Sequence, residues 1–205
     1  MAAPPKPPRG PDGPIGPWEV LDSTYSYRDR WLALRSDTVR VPNGTVLSPY
    51  HVLEFPEWIA AIALTPAREI VLIEEYRHGV RRPSFELPCG TAEAGEDFLA
   101  ATRRELLEET GYAADDWHFL GASFPNTARQ SNREHVFLAL DARKVADQAL
   151  DPGEMIRTHL VPWDRFLDDL DTGRLELPGL HLAALWQLRG FARRSTDPRL
   201  RALGL

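Results

Sequence analysis

The stretch Gly90-Thr-Ala-Glu-Ala-Gly-Glu96-Asp-Phe-Leu-Ala-Ala-Thr-Arg-Arg104-Glu105-Leu-Leu-Glu108-Glu109-Thr-Gly111-Tyr112 constrains this chain more than any other, because it crowds acid onto a segment that has to be helical. From Asp97 to Thr110 there is neither proline nor glycine, and Gly111 is the usual stop just past a helix end, so a helix is predicted there. At about 100° per residue, Glu105, Glu108 and Glu109 project from one side, while Leu99, Ala100, Leu106 and Leu107 cluster on roughly the other. One face is thus expected to pack and the other to present carboxylates. Glu105 and Glu109 are like charges at i,i+4, which costs a few tenths of a kcal/mol in a bare helix; Arg104 with Glu108 returns part of it. Such crowding makes sense if a cation sits among the carboxylates, and hard divalent ions such as Mg²⁺ take oxygen ligands that they share with phosphates. Phosphate chemistry is the first expectation; the plain alternative is a solvated acidic helix ended by a glycine cap.

Length and charge agree with an enzyme domain acting on a small molecule. A chain of 205 residues with 43% hydrophobic content can bury a substantial core. A net charge of −6 argues against a surface that coats nucleic acid, which wants a basic footprint. Cys89 is the single cysteine, so no internal disulfide can form, and no stretch is apolar for long enough to span a membrane. With no apolar signal-peptide core at the N-terminus, a cytoplasmic location is expected. Six histidines lie scattered without metal-pair spacing, and neither a Gly-x-Ser-x-Gly elbow nor a Gly-x-x-x-x-Gly-Lys loop occurs, so zinc and serine hydrolysis are not indicated.

The organisation expected along the chain has three parts. Residues 1–17, rich in Pro and Gly, are expected to form a flexible leader. Residues 18–55 hold three β-rich stretches, Trp18 to Ser26, Trp31 to Val41 and Val46 to Glu54, with Asn43-Gly44 marking a hairpin turn, and predict a small antiparallel sheet. Residues 56–205 form the main domain: strands at Trp58 to Leu64, Ile70 to Arg77, Phe85 to Leu87, Trp117 to Phe124, His135 to Leu140 and Met155 to Val161, with helices after them at Trp163 to Asp171 and Leu180 to Arg193. Strands interleaved with helices predict an α/β fold, a mixed sheet between helical layers.

Taken position by position, the acidic segment resembles the Nudix box: Gly90, five residues, Glu96, seven residues, Arg104-Glu105-Leu106, one residue, Glu108-Glu109, one residue, Gly111-Tyr112. The resemblance implies the Nudix α/β/α sandwich and a hydrolase cleaving a pyrophosphate bond. By that resemblance Glu105, Glu108 and Glu109 are metal ligands together with the backbone carbonyl of Cys89, Mg²⁺ is the cofactor with Mn²⁺ as an alternative, and Glu96 and Arg104 tie the box loop to its helix. Glu108 and Glu109 count as catalytic through the metal. Glu154, in the loop Asp151-Pro152-Gly153-Glu154, is named as general base or extra ligand, with Glu134 as a second candidate and an exposed turn glutamate as the plain alternative.

The segment Glu75-Tyr76-Arg77 resembles the "QYR" stretch of ADP-ribose pyrophosphatases, which implies that Arg77 clamps a diphosphate; a salt bridge to Glu74 or Glu75 is the other reading. The N-terminal sheet also resembles that group, in which it builds a dimer, so a homodimer is expected. Trp31, Tyr50 and Trp58 become candidates for stacking on the base, and Arg129 and Arg133, in the polar stretch 123–133, for binding the sugar phosphate. That group tends to place proline about fifteen residues past the box, where this chain has Thr127. Thr127 departs from that pattern and leaves other nucleotide sugars open, while the resemblance as a whole implies cleavage of ADP-ribose or a related nucleotide sugar to a nucleoside monophosphate and a sugar phosphate. A GDP- or UDP-sugar, a dinucleoside polyphosphate, and a non-catalytic nucleotide-sugar sensor remain as alternatives.

Overall fold

A computed structural model describes residues 15–205, which divide after Glu54 into two compact units. Fourteen of the seventeen residues expected to form the leader lie outside the described residues. The first unit is a three-stranded antiparallel sheet in the order β1 (Glu19–Arg28), β2 (Ala33–Arg40), β3 (Val46–Glu54). Its β2–β3 turn is set where expected: Gly44 takes a φ of 88°, and the Asn43 side chain accepts the Thr45 N–H at 3.0 Å, so the turn chemistry is carried by the two residues that favour it. Asp37 is buried, and the Ser23 hydroxyl and the Arg35 guanidinium satisfy its carboxylate at 2.7 and 2.9 Å.

The second unit runs β4 (Trp58–Leu64), β5 (Glu69–Arg77), β6 (Arg82–Glu86), β7 (Cys89–Thr91), α1 (Phe98–Thr110), β8 (Tyr112–Ala113), β9 (Asp116–Ser123), β10 (Glu134–Leu140), β11 (Arg143–Lys144), β12 (Ile156–Pro162), α2 (Trp163–Asp171), α3 (Gly179–Ala192) and α4 (Pro198–Arg201). The large sheet is ordered β12-β5-β4-β10-β9, with β6 against β5 and β7 against β4. Strand β10 runs parallel to β4, pairing Glu134 with Trp58 through Leu140 with Leu64, and the remaining pairs are antiparallel. This is the mixed sheet expected from the interleaved pattern. Three two- or three-residue strands and the single-turn α4 were not expected, because so few residues carry no periodicity to read.

Alternation along β4 and β10 sorts the core into two layers. Ile62, Leu64, Val136, Leu138 and Leu140 point to Trp163 and Phe166 of α2 and Ala184 and Leu188 of α3. Ala61, Ala63 and Ala139 point the other way, to Leu106 of α1. Small side chains on that second face let α1 lie close to the sheet, and each large apolar group fully buried on the first contributes about 1.5–3 kcal/mol.

Helix α1 begins where Asp97 accepts the Ala100 N–H at 3.0 Å and ends where Gly111, at φ 72°, donates to the Leu107 carbonyl at 2.7 Å. Its faces differ from the expectation. The buried positions are Ala101, Thr102, Leu106, Glu109 and Thr110, while Ala100 and Leu107 are exposed. The glutamates therefore do not all occupy a solvated side opposite the packed one: Glu109 is buried and Glu105 partly so, while Glu108 keeps its side chain more open to solvent. The physical reason is that the helix abuts β7, whose backbone supplies polar partners that a purely apolar contact would lack, so position 109 can be both acidic and buried.

Candidate active site

The site is built where α1 meets the β7 backbone. Cys89 donates its N–H to Oε2 of Glu109 at 2.9 Å, and a side chain at Gly90 would place its Cβ 2.4 Å from the Glu105 carboxyl carbon. Glycine at 90 thus leaves the space that the Glu105 carboxylate occupies, and a side chain there would make that carboxylate shift. Arg104 binds the neighbourhood together: it contacts Glu96 at 3.2 Å, Glu105 at 2.9 Å, Glu108 at 3.1 Å and the Thr91 carbonyl at 3.3 Å. Glu96 in turn accepts the Glu93 N–H at 2.9 Å, so the loop before α1 is tied to the helix through this pair.

Electrostatically the cluster holds more negative charge than its neighbours neutralise. Burial pushes the Glu109 carboxyl up to about 9; the Cys89 N–H pulls the other way, and the charges of Glu105 and Glu154 add to the rise. Burial also raises Glu105, against the hydrogen bond and charge of Arg104, with Glu108 and Glu154 adding to the rise. Three carboxylates on one helix turn and a half, two of them raised by desolvation, form an oxygen-only donor set that suits a hard divalent cation. The carbonyl end of α1 is held by the segment beyond it: Lys144 donates to Thr110 O at 3.0 Å, Ala149 N–H to Glu108 O at 2.9 Å, and Gln148 to the Glu109 carbonyl.

Glu154 acts on this cluster through its charge. It sits in a turn closed by its own N–H on the Asp151 carbonyl at 2.9 Å and by its carboxylate accepting the Asp151 N–H at 3.0 Å. Its charge raises Glu75, Glu105 and Glu109. Arg77 reaches it as well, since its charge counts at Glu109, but its fork is engaged: Nε and Nη2 donate to Glu86 at 2.8 and 2.7 Å, and Nη1 pairs with Glu75 at 3.0 Å. Burial works to raise Glu86, yet the Arg77 hydrogen bonds and charge outweigh it and leave the carboxyl below its ordinary value. Glu75 is raised by burial first and by Glu86 and Glu154 after it, against the pull of Arg77.

Glu134 faces the α3 layer, away from the α1 glutamates. It shares a strand face with the core residues Val136, Leu138 and Leu140, lies 3.7 Å from His181 Nε2, and is pushed by burial up to about 7. Glu86, Cys89 and His181 bring one donor atom each within 4.8 Å and form a possible metal-binding group distinct from the α1 trio. The Leu87 N–H, however, donates to His181 Nδ1 at 3.2 Å, which puts the ring proton on Nε2 and turns that nitrogen into a donor toward the carboxylates.

The remaining sequence candidates lie elsewhere. Trp58 starts β4, half-buried, with Phe55 5.5 Å from its ring; Arg133 stacks 4.5 Å over Phe124 and gives its N–H to Glu57; Arg129 is exposed in the 126–130 turn. In the first unit, Trp31 lies under the Arg30 guanidinium at 4.3 Å, and Tyr50 meets Trp18 edge-on at 5.3 Å. The sequence reading passed over Glu86, His181 and Gln148. Only Glu86 had a local cue, as the acid ending the strand that leads into the box.

Comparison with known proteins matches residues 56–177 to the NUDIX domain and residues 18–53 to the nucleoside diphosphate sugar hydrolase N-terminal domain. The chain belongs to the Nudix family. Its relatives include a methanol dehydrogenase activator from Bacillus methanolicus, 33% identical over 63% of this chain and 70% of that protein. ADP-ribose pyrophosphatases from Bacillus subtilis and Mycobacterium tuberculosis are 32 and 33% identical, over 50 and 62% of this chain and 55 and 62% of theirs. The chain thus spans between about half and two thirds of the length of these two pyrophosphatases. A solved ADP compounds hydrolase superposes with a TM-score of 0.76 over 89% of this chain and 97% of its own at 21% identity, so the two share the fold. Nudix hydrolases use divalent metals, and no helix among the described residues is long and apolar enough to cross a membrane.

Proposed function

We propose that this Nudix chain is a Mg²⁺-dependent pyrophosphatase that hydrolyses ADP-ribose, or a closely related nucleotide sugar, to a nucleoside monophosphate and a sugar phosphate. The observation that carries the reading is the pairing of the Glu109 carboxylate with the Cys89 amide beside Glu105 and Glu108, in a chain whose two segments match the Nudix domain and the nucleoside diphosphate sugar hydrolase N-terminal domain. Glu105, Glu108, Glu109 and the Cys89 carbonyl would hold the cation, with Mn²⁺ as an alternative. When bound, it supplies positive charge to the diphosphate and to the attacking water.

The chain's own residues supply the rest. Glu154, whose charge acts on the cluster, takes a proton from the water as its oxygen bonds to phosphorus; the bond from that phosphorus to the bridging oxygen breaks, and the second phosphate leaves as a monoester. Arg77 orients the diphosphate with the part of its fork that Glu86 does not occupy. Arg104 keeps Glu105 and Glu108 in place without touching substrate. Trp58, Arg129 and Arg133 are assigned to the nucleoside and sugar-phosphate ends.

We assign a homodimer to the first unit, because every residue of β1 is exposed and Val20, Tyr25 and Tyr27 present large apolar groups there. Light scattering on the whole chain checks this, a monomer at micromolar concentration overturning it.

The deciding experiment measures phosphate release, through a coupled phosphatase, from ADP-ribose, GDP- and UDP-sugars, dinucleoside polyphosphates and free triphosphates with Mg²⁺ or Mn²⁺. ADP-ribose at the head of the panel, with Glu109→Gln inactive, supports the reading. No turnover of any compound overturns it and leaves a nucleotide-sugar sensor.

A further inference from the structure

Arg77 lies between two carboxylates that hold it very differently. Glu86 grips one edge of the guanidinium with two hydrogen bonds, at 2.8 and 2.7 Å, and its side chain is only 7% exposed. Glu75 meets the opposite nitrogen, Nη1, through one contact at 3.0 Å and is 18% exposed. The charges of Glu86 and Glu154 act against Glu75 where it stands, so it is held by one ion pair and repelled by two like charges. An anion approaching Arg77 can displace only the weaker partner. Breaking the Glu86 fork would leave a buried carboxylate unpaired, whereas releasing Glu75 relieves repulsion and lets its carboxylate turn to water.

We propose that Glu75 is a displaceable internal anion: it occupies the free end of Arg77 until a substrate diphosphate replaces it, and so sets the site's affinity for diphosphates lower than Arg77 alone would give. Glu86 is then the permanent anchor that fixes the fork, and Glu75 the residue that tunes affinity. A lone Arg–Glu86 pair is neutral, while the trio of Glu75, Arg77 and Glu86 carries one net negative charge at the place where a diphosphate has to enter. The inference rests on the diphosphate reading of the site given above, and its test is separated from turnover for that reason.

The test titrates α,β-methylene-ADP, a nucleoside diphosphate whose bridge does not hydrolyse, into the whole protein by calorimetry with Mg²⁺ present. Wild type, Glu75→Gln, Arg77→Gln and the double variant are compared, with thermal melts alongside. Glu75→Gln is expected to tighten Kd about three- to tenfold, as removal of a partly exposed ion pair allows, and this gain is expected to shrink to under about twofold once Arg77 is already Gln. Should the Gln variant melt early, Glu75→Ala gives the same comparison. Unchanged or weaker binding in the Glu75 variants overturns the proposal, as does an equal gain with and without Arg77, which would mean a general field effect. If wild type turns over the substrate panel while these affinities do not move as stated, this inference alone falls; if it neither binds the analogue nor turns over any compound, the functional reading falls with it.

Discussion

The carboxylate of Glu109 accepts the backbone N–H of Cys89 at 2.9 Å, and this one bond fastens the last glutamate of α1 to the strand residue before Gly90. The bond fixes where a cation would find its donors without any apolar side chain intervening. It also explains how a residue 4% exposed can be a glutamate at all.

Glu109→Gln is expected to retain the fold while lowering kcat by about a hundredfold or more, because the amide keeps the size and can still accept the Cys89 N–H but binds a cation poorly. Steady-state kinetics beside a circular dichroism melt checks this. Near-normal kcat with an unchanged melt would remove Glu109 from the mechanism.

The metal-free protein should lose stability as pH rises, through this same group. Glu109 titrates near 4.5 when unfolded and is pushed up to about 9 by burial when folded, so the folded state binds the extra proton between those values. Its stabilising contribution is full below about pH 4.5 and is lost as pH climbs toward 9. Melts in chelator at pH 6 and 8.5 should differ more in wild type than in Glu109→Gln, and added Mg²⁺ should raise the melting temperature most at the higher pH.

His181 contributes with the opposite sign. Burial lowers its pKa from 6.5 to about 4, so the unfolded chain takes up the proton first as pH falls, and up to about 3 kcal/mol is lost between those values. Replacing it with Leu should flatten that acid limb. It should also cost about 1–3 kcal/mol at neutral pH, because the Leu87 N–H loses its acceptor. Chemical denaturation of both proteins at pH 4.5 and 7 gives the comparison.

Much of this was legible in the sequence, for reasons that differ from element to element. Strand β4, helix α2 and both ends of α1 fall where period, length and Gly111 put them, because each is a long run with its own punctuation. The mixed sheet with helices on both faces followed from the alternation of element types. The packed face of α1 was misjudged, since Ala100 and Leu107 read as core by hydrophobicity while Glu109 is buried by a backbone partner twenty residues upstream. Periodicity sees side chains on one helix and cannot see a strand amide arriving from elsewhere. For the same reason His181, ninety-four residues from Leu87, carried no local signal, and the acid that ends the strand before the box gave no sign that Glu86 grips Arg77 nine positions away.

Two glycines of the box separate steric from conformational demand, and they supply a last test. Gly95 has φ 83° with open space where a Cβ would go, so Gly95→Ala should cost only the strain of a left-handed residue, about 1 kcal/mol. Gly111 has φ 72° and would set its Cβ 2.1 Å from the Ala146 carbonyl oxygen, a backbone atom that cannot rotate away. That carbonyl belongs to the segment whose Val145 and Ala149 amides bond the Gly111 and Glu108 carbonyls, so moving it disturbs the end of the helix that carries Glu108 and Glu109. Gly111→Ala should therefore cost about 2 kcal/mol more than Gly95→Ala and lower kcat as well, which urea unfolding and the phosphate-release assay measure side by side. Equal losses in the two variants would show that the 144–149 segment yields freely and does not hold the catalytic helix in place.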